Sequence, residues 1–369
     1  MKRNILISNY DDLKNPTYAG GGAVAIYEVA KRLAKNFDVT VLTGNYPGAK
    51  SEMVDGVMYA RIGPKSFVGR FGQLLYHFIL PWHVLTRNYD MWIESFTPPF
   101  STSFIPLFTK KPVIGLVHML SGKDMRRKYF LPFHHIENIG LRLYRHFIVL
   151  TEHSAREIRM ENPLANIAII GNGVHAPSSP NVPGAGKYLG FLGRIEIDQK
   201  GLDLLIKAYA AVREKLNIPL LIAGSGSKKE VAHLEKLIDR YNLGDSVQLL
   251  GRLEGEKKQE FLRGAVIGVI PSRYETFSLA MLEMMSYGIP VATFDIPGIA
   301  WAPQDALVRV PSFDTESLAR ALVKLAEDTA LRETISRRAR TYAETRSWDA
   351  VANEYERYVV GIFADKNTV

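Results

Sequence analysis

The chain has 369 residues, 47% hydrophobic and 23% charged, a balance that suits a soluble globular protein of two domains and excludes a disordered one. It contains no cysteine, so disulfides, thiolate metal sites and cysteine nucleophiles are excluded. The net charge of +8 lies wholly in the first half, where residues 1–180 hold 21 Lys+Arg against 13 Asp+Glu while residues 181–369 hold 25 against 25; this points to an anionic partner for that half, or to a merely solubilising face.

Residues 4–9 read as the first strand. It is entered directly from Met1-Lys2-Arg3 without the apolar stretch of a secretory signal, so a cytoplasmic chain is expected. No run reaches the ~18 apolar residues that span a bilayer. Gly20-Gly21-Gly22-Ala23 follows, and helical spacing from Val24 to Leu33 comes after it. Glycines let backbone approach a ligand, and a helix start points amides at it; a tight strand-to-helix turn is the other reading, because the G-x-G-x-x-G spacing is missing. Further strands read over 38–43, 57–62, 91–94, 113–117 and 147–150 between helical runs, the rhythm of a parallel sheet wrapped by helices. His118 ends the strand over 113–117. Within 65–87, Phe67, Phe71, Leu74, Leu75, Phe78, Ile79 and Trp82 stand beside Lys65, Arg70 and Arg87, and 123–128 adds a second basic cluster. Such segments suit a lipid interface or a helix packed into the core. His134-His135 has no spaced carboxylate partner and no Asp-x-Asp pair occurs, so no obligatory metal is expected.

The stretch 176–186, rich in Pro and small residues, reads as a linker that divides an N-terminal domain over 1–177 from a second over 178–347. A second strand series runs over 188–193, 219–223, 247–250, 266–270 and 290–294, and 348–363 reads as an amphipathic helix, so that 348–369 returns to the first domain. Gly193-Arg194 ends the first of these strands, and Lys200-Gly201 opens a helix over 202–216. Two cations at one loop mouth suit a diphosphate, Arg194 as a planar fork and Lys200 as a compact charge; pairing with Glu196, Asp198 and Asp203 is the alternative. Gly224 and Gly251-Arg252 stand at the next two strand ends. Glu275 then falls in the loop after strand 266–270, where open α/β sheets bind ligands. Glu283 lies about one turn inside the helix over 278–287, closed by Gly288 and Pro290; alone it reads equally as a solvent-facing acid.

Together these elements resemble the retaining glycosyltransferases of the GT-B fold, specifically glycosyltransferase family 4 (group 1). The resemblance covers nearly the whole length. Its most specific part is the E-x7-E element from Glu275 to Glu283, backed by the G-R…K-G element of Gly193, Arg194, Lys200 and Gly201. It implies an α/β architecture of two Rossmann-like domains whose parallel sheets face an interdomain cleft, the first domain on the acceptor side and the second holding a nucleotide sugar. Arg194 and Lys200 would hold the diphosphate, Glu283 the ribose and Glu275 the transferred sugar. The amides of Phe277, Ser278 and Leu279 would touch sugar and phosphates, with Gly224, Gly251 and Arg252 also on the donor side. The loop at Gly21 and Gly22 would cover the donor, and His118 would stand beside the sugar.

The activity implied is retaining transfer of a hexosyl unit from a nucleoside diphosphate sugar, UDP-sugar favoured over GDP-mannose, to a hydroxyl of a saccharide or lipid-linked acceptor. No cofactor is implied, and the basic first half would meet an anionic membrane surface at its inner face. Many relatives have Gly where Ser278 stands, which narrows the sugar pocket here, and many have Asp where Met119 stands, which leaves His118 without a neighbour to orient it. A nucleotide-sugar epimerase or sugar phosphorylase would share the scaffold. A basic nucleic-acid-binding module is the non-enzymatic alternative, but no stacking motif or zinc-finger spacing accompanies the charge, so nucleic acid is not an expected partner.

Overall fold

The computed structural model describes residues 2–15, 20–64, 70–98, 100–120, 133–177 and 186–365. They form two compact units, one of Met1–Asn172 with Trp348–Val369 and one of Gly173–Ser347. Most of the expected linker (178–185), the basic cluster at 123–128, Lys65, Phe67 and the side chain of Arg70 lie outside the described residues.

The first unit is built on β1 (Asn4–Ser8), β2 (Asp38–Gly44), β3 (Glu52–Val54), β4 (Val57–Ile62), β5 (Met91–Ser95), β6 (Val113–Val117), β7 (His146–Val149) and β8 (Asn166–Ile169). Their spatial order is β3-β4-β2-β1-β5-β6-β7-β8, parallel throughout except for the β3–β4 hairpin. Every residue of β5, β6 and β7 is buried, as expected of parallel strands with both faces covered. Apart from the β3–β4 hairpin, chain order runs outward from β1 in both directions, so the winding reverses between β1 and β5, and doubly wound sheets bind ligands at such reversals.

The terminal helix Trp348–Ala364 belongs to this unit. It buries Trp348, Val351, Ala352, Tyr355, Val359 and Ile362, one helical stripe, and is pinned by an Arg32–Asp349 ion pair at 2.8 Å and an Asn36–Glu356 hydrogen bond at 2.7 Å.

The second unit carries β9 (Tyr188–Leu192), β10 (Leu220–Ala223), β11 (Val247–Gly251), β12 (Ala265–Ile270), β13 (Val291–Phe294) and β14 (Val308–Val310), all parallel, in the order β11-β10-β9-β12-β13-β14. Its reversal falls between β9 and β12.

Three local expectations change. Gly21 and Gly22 form the first turn of helix α1 (Gly21–Leu33), not a loop; Gly20 is its extended N-cap, and first-turn amides need no intrahelical acceptor, so glycine weakens this end least. Lys200 does not open the long helix but closes a single turn, Ile197–Lys200, because Gly201 takes a left-handed φ of 62°. The helix expected over 202–216 is divided into Leu202–Ala210 and Arg213–Leu216, since Val212 leaves helical geometry at φ −132°.

Candidate functional site

The loops after β9 and β12 flank the reversal of the second sheet, and glycine backbone lets them meet. A Cβ on Gly201 would stand 1.9 Å from the Pro271 carbonyl oxygen, so only glycine brings the Lys200 turn against the end of β12. The Lys200 Nζ thereby reaches Glu275 Oε1 at 2.7 Å, and the same oxygen accepts from Ser272 Oγ at 2.7 Å. Both side chains are largely withdrawn from water, Lys200 at 15% and Glu275 at 8% exposure. Arg273 ties the arrangement from below with a bidentate pair to Asp203 (2.8 and 2.7 Å) and a bond to the Asp198 carbonyl at 2.9 Å. Asp203 therefore pairs with Arg273 and not with Arg194 or Lys200. Arg194 itself is exposed, with Glu196 at 3.7 Å.

The strand ends beside β9 are equally close. Gly193 donates to Ala223 O at 3.0 Å and Gly224 to Gly251 O at 2.8 Å, and a Cβ on Gly224 would lie 1.7 Å from the Gly193 carbonyl oxygen. Arg252 pairs with Glu254 at 2.6 Å on the exposed surface. Past Glu275, Ser278 is the N-cap of the helix Leu279–Ser286 at φ 64°, ψ 78°, a left-handed conformation rarely adopted by residues with a Cβ. The amides of Phe277, Ser278 and Leu279 thus lie at or next to a helix start, where unpaired N–H groups favour anions. Glu283 sits one turn on and pairs with Lys258 at 2.8 Å, both about one-third exposed. Ser272, Arg273, Lys258 and Trp301, whose indole N–H donates to Phe277 O at 2.6 Å, were not legible as site residues: Arg273, Lys258 and Trp301 act through partners from 24 to 70 residues away, beyond any local period, and Ser272, three residues before Glu275, carries no signal of its own.

In the first unit, His118 follows the end of β6, and Gly22 faces it: a Cβ there would touch the ring at 3.7 Å. The His118 Nε2 is buried without a hydrogen-bond partner among the described residues, and burial lowers its pKa to about 4, so the ring is neutral at physiological pH. At the reversal itself, Glu94 of β5 accepts from Tyr144 OH and from the Ser103 amide, and burial raises its pKa to about 7. His77 braces the same loop through Ser103 Oγ at 2.8 Å and Thr97 O at 3.0 Å, and its own burial lowers its pKa to about 4.

His77 lies on helix α2 (Arg70–Thr86), which is apolar on two sides. One face, with Tyr76, Leu80 and Val84, is buried in the core; another carries Phe71, Phe78, Trp82 and Leu85 at 60–69% exposure. The reading of this segment as a helix packed into the core holds for the first face; the second is an exposed apolar face. Leu107 in the adjoining 3-10 turn Ile105–Phe108 is 63% exposed.

Residues 19–176 match the family model Glycosyltransferase Family 4, and residues 176–342 match Glycosyl transferases group 1. Among curated proteins, the D-inositol 3-phosphate glycosyltransferase of Salinispora arenicola is 33% identical over 46% of this chain and 40% of its own length. The phosphatidyl-myo-inositol mannosyltransferase of Mycobacterium leprae is 29% identical over 55% of this chain and 56% of its own. The matches thus span about half the length of these curated relatives. In fold, sucrose-phosphate synthase from Thermosynechococcus elongatus aligns with a TM-score of 0.84 at 20% identity, over 98% of this chain and 100% of that one. Anabaena HepE, solved in complex with UDP and glucose, aligns at 0.71 and 17% identity over 98% and 100%. With two parallel α/β units of this order, aligned over nearly the whole chain with solved structures, the chain has the GT-B fold, and two adjoining glycosyltransferase family matches run from residue 19 to 342.

Proposed function

We propose that the protein is a retaining, metal-independent hexosyltransferase that uses a nucleoside diphosphate sugar, with a uridine donor favoured. The observation that carries this reading is the Lys200–Glu275 pair at the β9/β12 reversal, next to the amide turn at Phe277–Leu279. In the proposed reaction the bond from the anomeric carbon to the diphosphate oxygen breaks, and negative charge gathers on the leaving phosphate. Lys200, Arg194 and the turn amides stabilise that charge, the largest single term in many enzymes. The acceptor hydroxyl attacks from the face the diphosphate leaves, and the departing phosphate oxygen takes its proton. Glu275 positions the ammonium and accepts from a sugar hydroxyl, Glu283 holds the ribose, and His118 offers a neutral ring beside the sugar. The solved complex of HepE with UDP and glucose supports the choice of base, since the fold is shared. A thermal-shift panel of nucleoside diphosphates and their sugars tests it. A ligand at 100 times its dissociation constant adds about 2.7 kcal/mol, and the expected response is to uridine diphosphates, unchanged by chelator. Response to none of the panel, or a product of inverted configuration, refutes the reading.

For the acceptor side we propose a saccharide or lipid-linked hydroxyl reached at an anionic membrane surface. Among the described residues no helix is long and apolar enough to cross a membrane. The exposed Phe71, Phe78, Trp82 and Leu85 fall on one face of α2, and cationic Arg87 and Lys110 follow α2 and the 3-10 turn, a combination suited to a lipid interface. The excess of 21 Lys+Arg over 13 Asp+Glu in residues 1–180 adds the long-range attraction. Sedimentation with anionic vesicles at low salt, lost on Phe78→Ser/Trp82→Ser, is the expected result; failure of the parent to sediment refutes it.

A further inference from the structure

The turn that offers its amides to the donor is held in a conformation its own sequence resists. Ser278 has a φ of 64° and no side-chain capping bond, although a Cβ makes the left-handed region unfavourable by an amount comparable to a tenfold equilibrium. Something outside the turn must fix it, and one segment touches it twice. Gly298, in the short 3-10 turn Pro297–Ile299, approaches so closely that a Cβ there would overlap the Glu275 carbonyl oxygen at 1.6 Å. Three residues on, Trp301 lies flat on the Phe277 ring, with centroids 4.3 Å apart and planes 7° from parallel, and its indole N–H donates to the Phe277 carbonyl at 2.6 Å. Phe277 is itself buried, so neither ring can slide freely. Tyr342, on the helix Thr329–Thr345, backs the indole from 5.7 Å.

We infer that Trp301 is a positioning residue for the donor site: by stacking on Phe277 and holding its carbonyl, it locks Ser278 in the left-handed conformation and aims the amides of Phe277, Ser278 and Leu279. The inference deepens the proposed function and rests on it for the identity of the ligand, though not for the lock itself. The indole replaces, from outside the turn, the freedom that glycine supplies from within. A serine at 278 is thereby tolerated, and the amides are preorganised before any ligand arrives.

The closing experiment has one arm that needs no ligand. Hydrogen exchange at the Leu282 amide, which donates to the Ser278 carbonyl at 3.3 Å and so reports on the turn, is compared in the parent, Trp301→Phe, Trp301→Leu and Trp301→Leu/Ser278→Gly. Trp301→Leu should speed exchange about tenfold, the equilibrium factor of one strained left-handed residue. Trp301→Phe, which keeps the stack but not the indole donor, should fall between, and glycine at 278 should restore much of the protection because it holds the turn unaided. In the second arm, uridine diphosphate sugar affinity and KM should weaken by a similar factor in Trp301→Leu and recover in the double variant, while kcat changes less. Unchanged exchange in Trp301→Leu, or no recovery with glycine, overturns the lock. Exchange that follows the pattern while the parent binds no nucleotide sugar leaves the lock standing and sinks its assignment to a donor site.

Discussion

Lys200→Ala removes the central contact of the candidate site, and the structure sets the scale of the response. The variant leaves Glu275, 8% exposed, with Ser272 Oγ at 2.7 Å as the remaining bond to that oxygen. A hydrogen bond to a charged group contributes about 1.5–3 kcal/mol, and stripping a buried ion of its partner costs about 3–5 kcal/mol. Because Ser272 remains and the Lys200 side chain is only 15% exposed, a loss of about 2–3 kcal/mol is expected. For a unit of this size that lowers Tm by about 5–10 °C, which differential scanning calorimetry resolves. Turnover should fall further than stability, by about 10²–10³-fold, as when one charge-stabilising donor is removed from other enzymes. Glu275→Gln separates the two roles: it keeps a partner for Ser272 and frees the ammonium, so diphosphate affinity should hold or improve while transfer falls. Sugar transfer at the parental rate by Lys200→Ala would show that the diphosphate assignment is wrong, and an unchanged melting profile would show that the pair contributes nothing.

Gly201→Ala, which forces a Cβ to within 1.9 Å of the Pro271 carbonyl at a φ of 62°, should displace the Lys200 turn and destabilise by about 2–4 kcal/mol, read as a lower urea midpoint with a raised donor KM. The rise of Glu94 from 4.5 to about 7 means that the folded state keeps a proton the unfolded chain releases, so about 3 kcal/mol of stability is lost as pH rises from 4.5 through 7. His77, lowered from 6.5 to about 4, acts in the opposite sense: its contribution is complete above 6.5 and is lost as pH falls toward 4. His118, lowered in the same way, adds to His77, so Glu94→Gln, which removes the opposing contribution, should steepen the decline in stability on acidification from pH 6.5 to 4.5, measured as the urea midpoint against pH. The His118 ring should show no NMR titration step until the pH nears 4, and a step near 6.5 would contradict its burial.

The strands were legible because parallel strands covered on both faces read as short apolar runs. Leu116 and Val117, or Val269 and Ile270, need no context to be placed. β3, β8 and β14 were not, since edge strands of three or four residues such as Glu52–Val54 carry too few apolar positions to form a pattern. Glu275 and Lys200 stood out by their place after strands, yet their bond did not, because it depends on a left-handed glycine that no periodicity announces. The same holds for Ser278. The sequence shows a substitution that narrows a pocket; the backbone shows a residue in the left-handed region, which matters for the amides it carries more than for the volume of its side chain.

The ion pair also bears on selectivity. On the proposed reading, an incoming diphosphate must draw Lys200 partly away from Glu275, and a carboxylate at 8% exposure then lacks one of its two bonds unless the ligand supplies another. A sugar hydroxyl supplies it; a bare phosphate does not. Leaving a buried acceptor unpaired costs about 1–3 kcal/mol, a factor of roughly 5 to 150 in affinity, so the pair discriminates against inorganic pyrophosphate and nucleoside diphosphate in favour of the sugar-bearing donor. Titration of the parent with uridine diphosphate and with its hexose conjugate should show the conjugate binding more tightly by a factor in that range. Glu275→Ala, which has no acceptor to leave unpaired, should bind the two alike. A preference that survives in Glu275→Ala would place the discrimination elsewhere in the site.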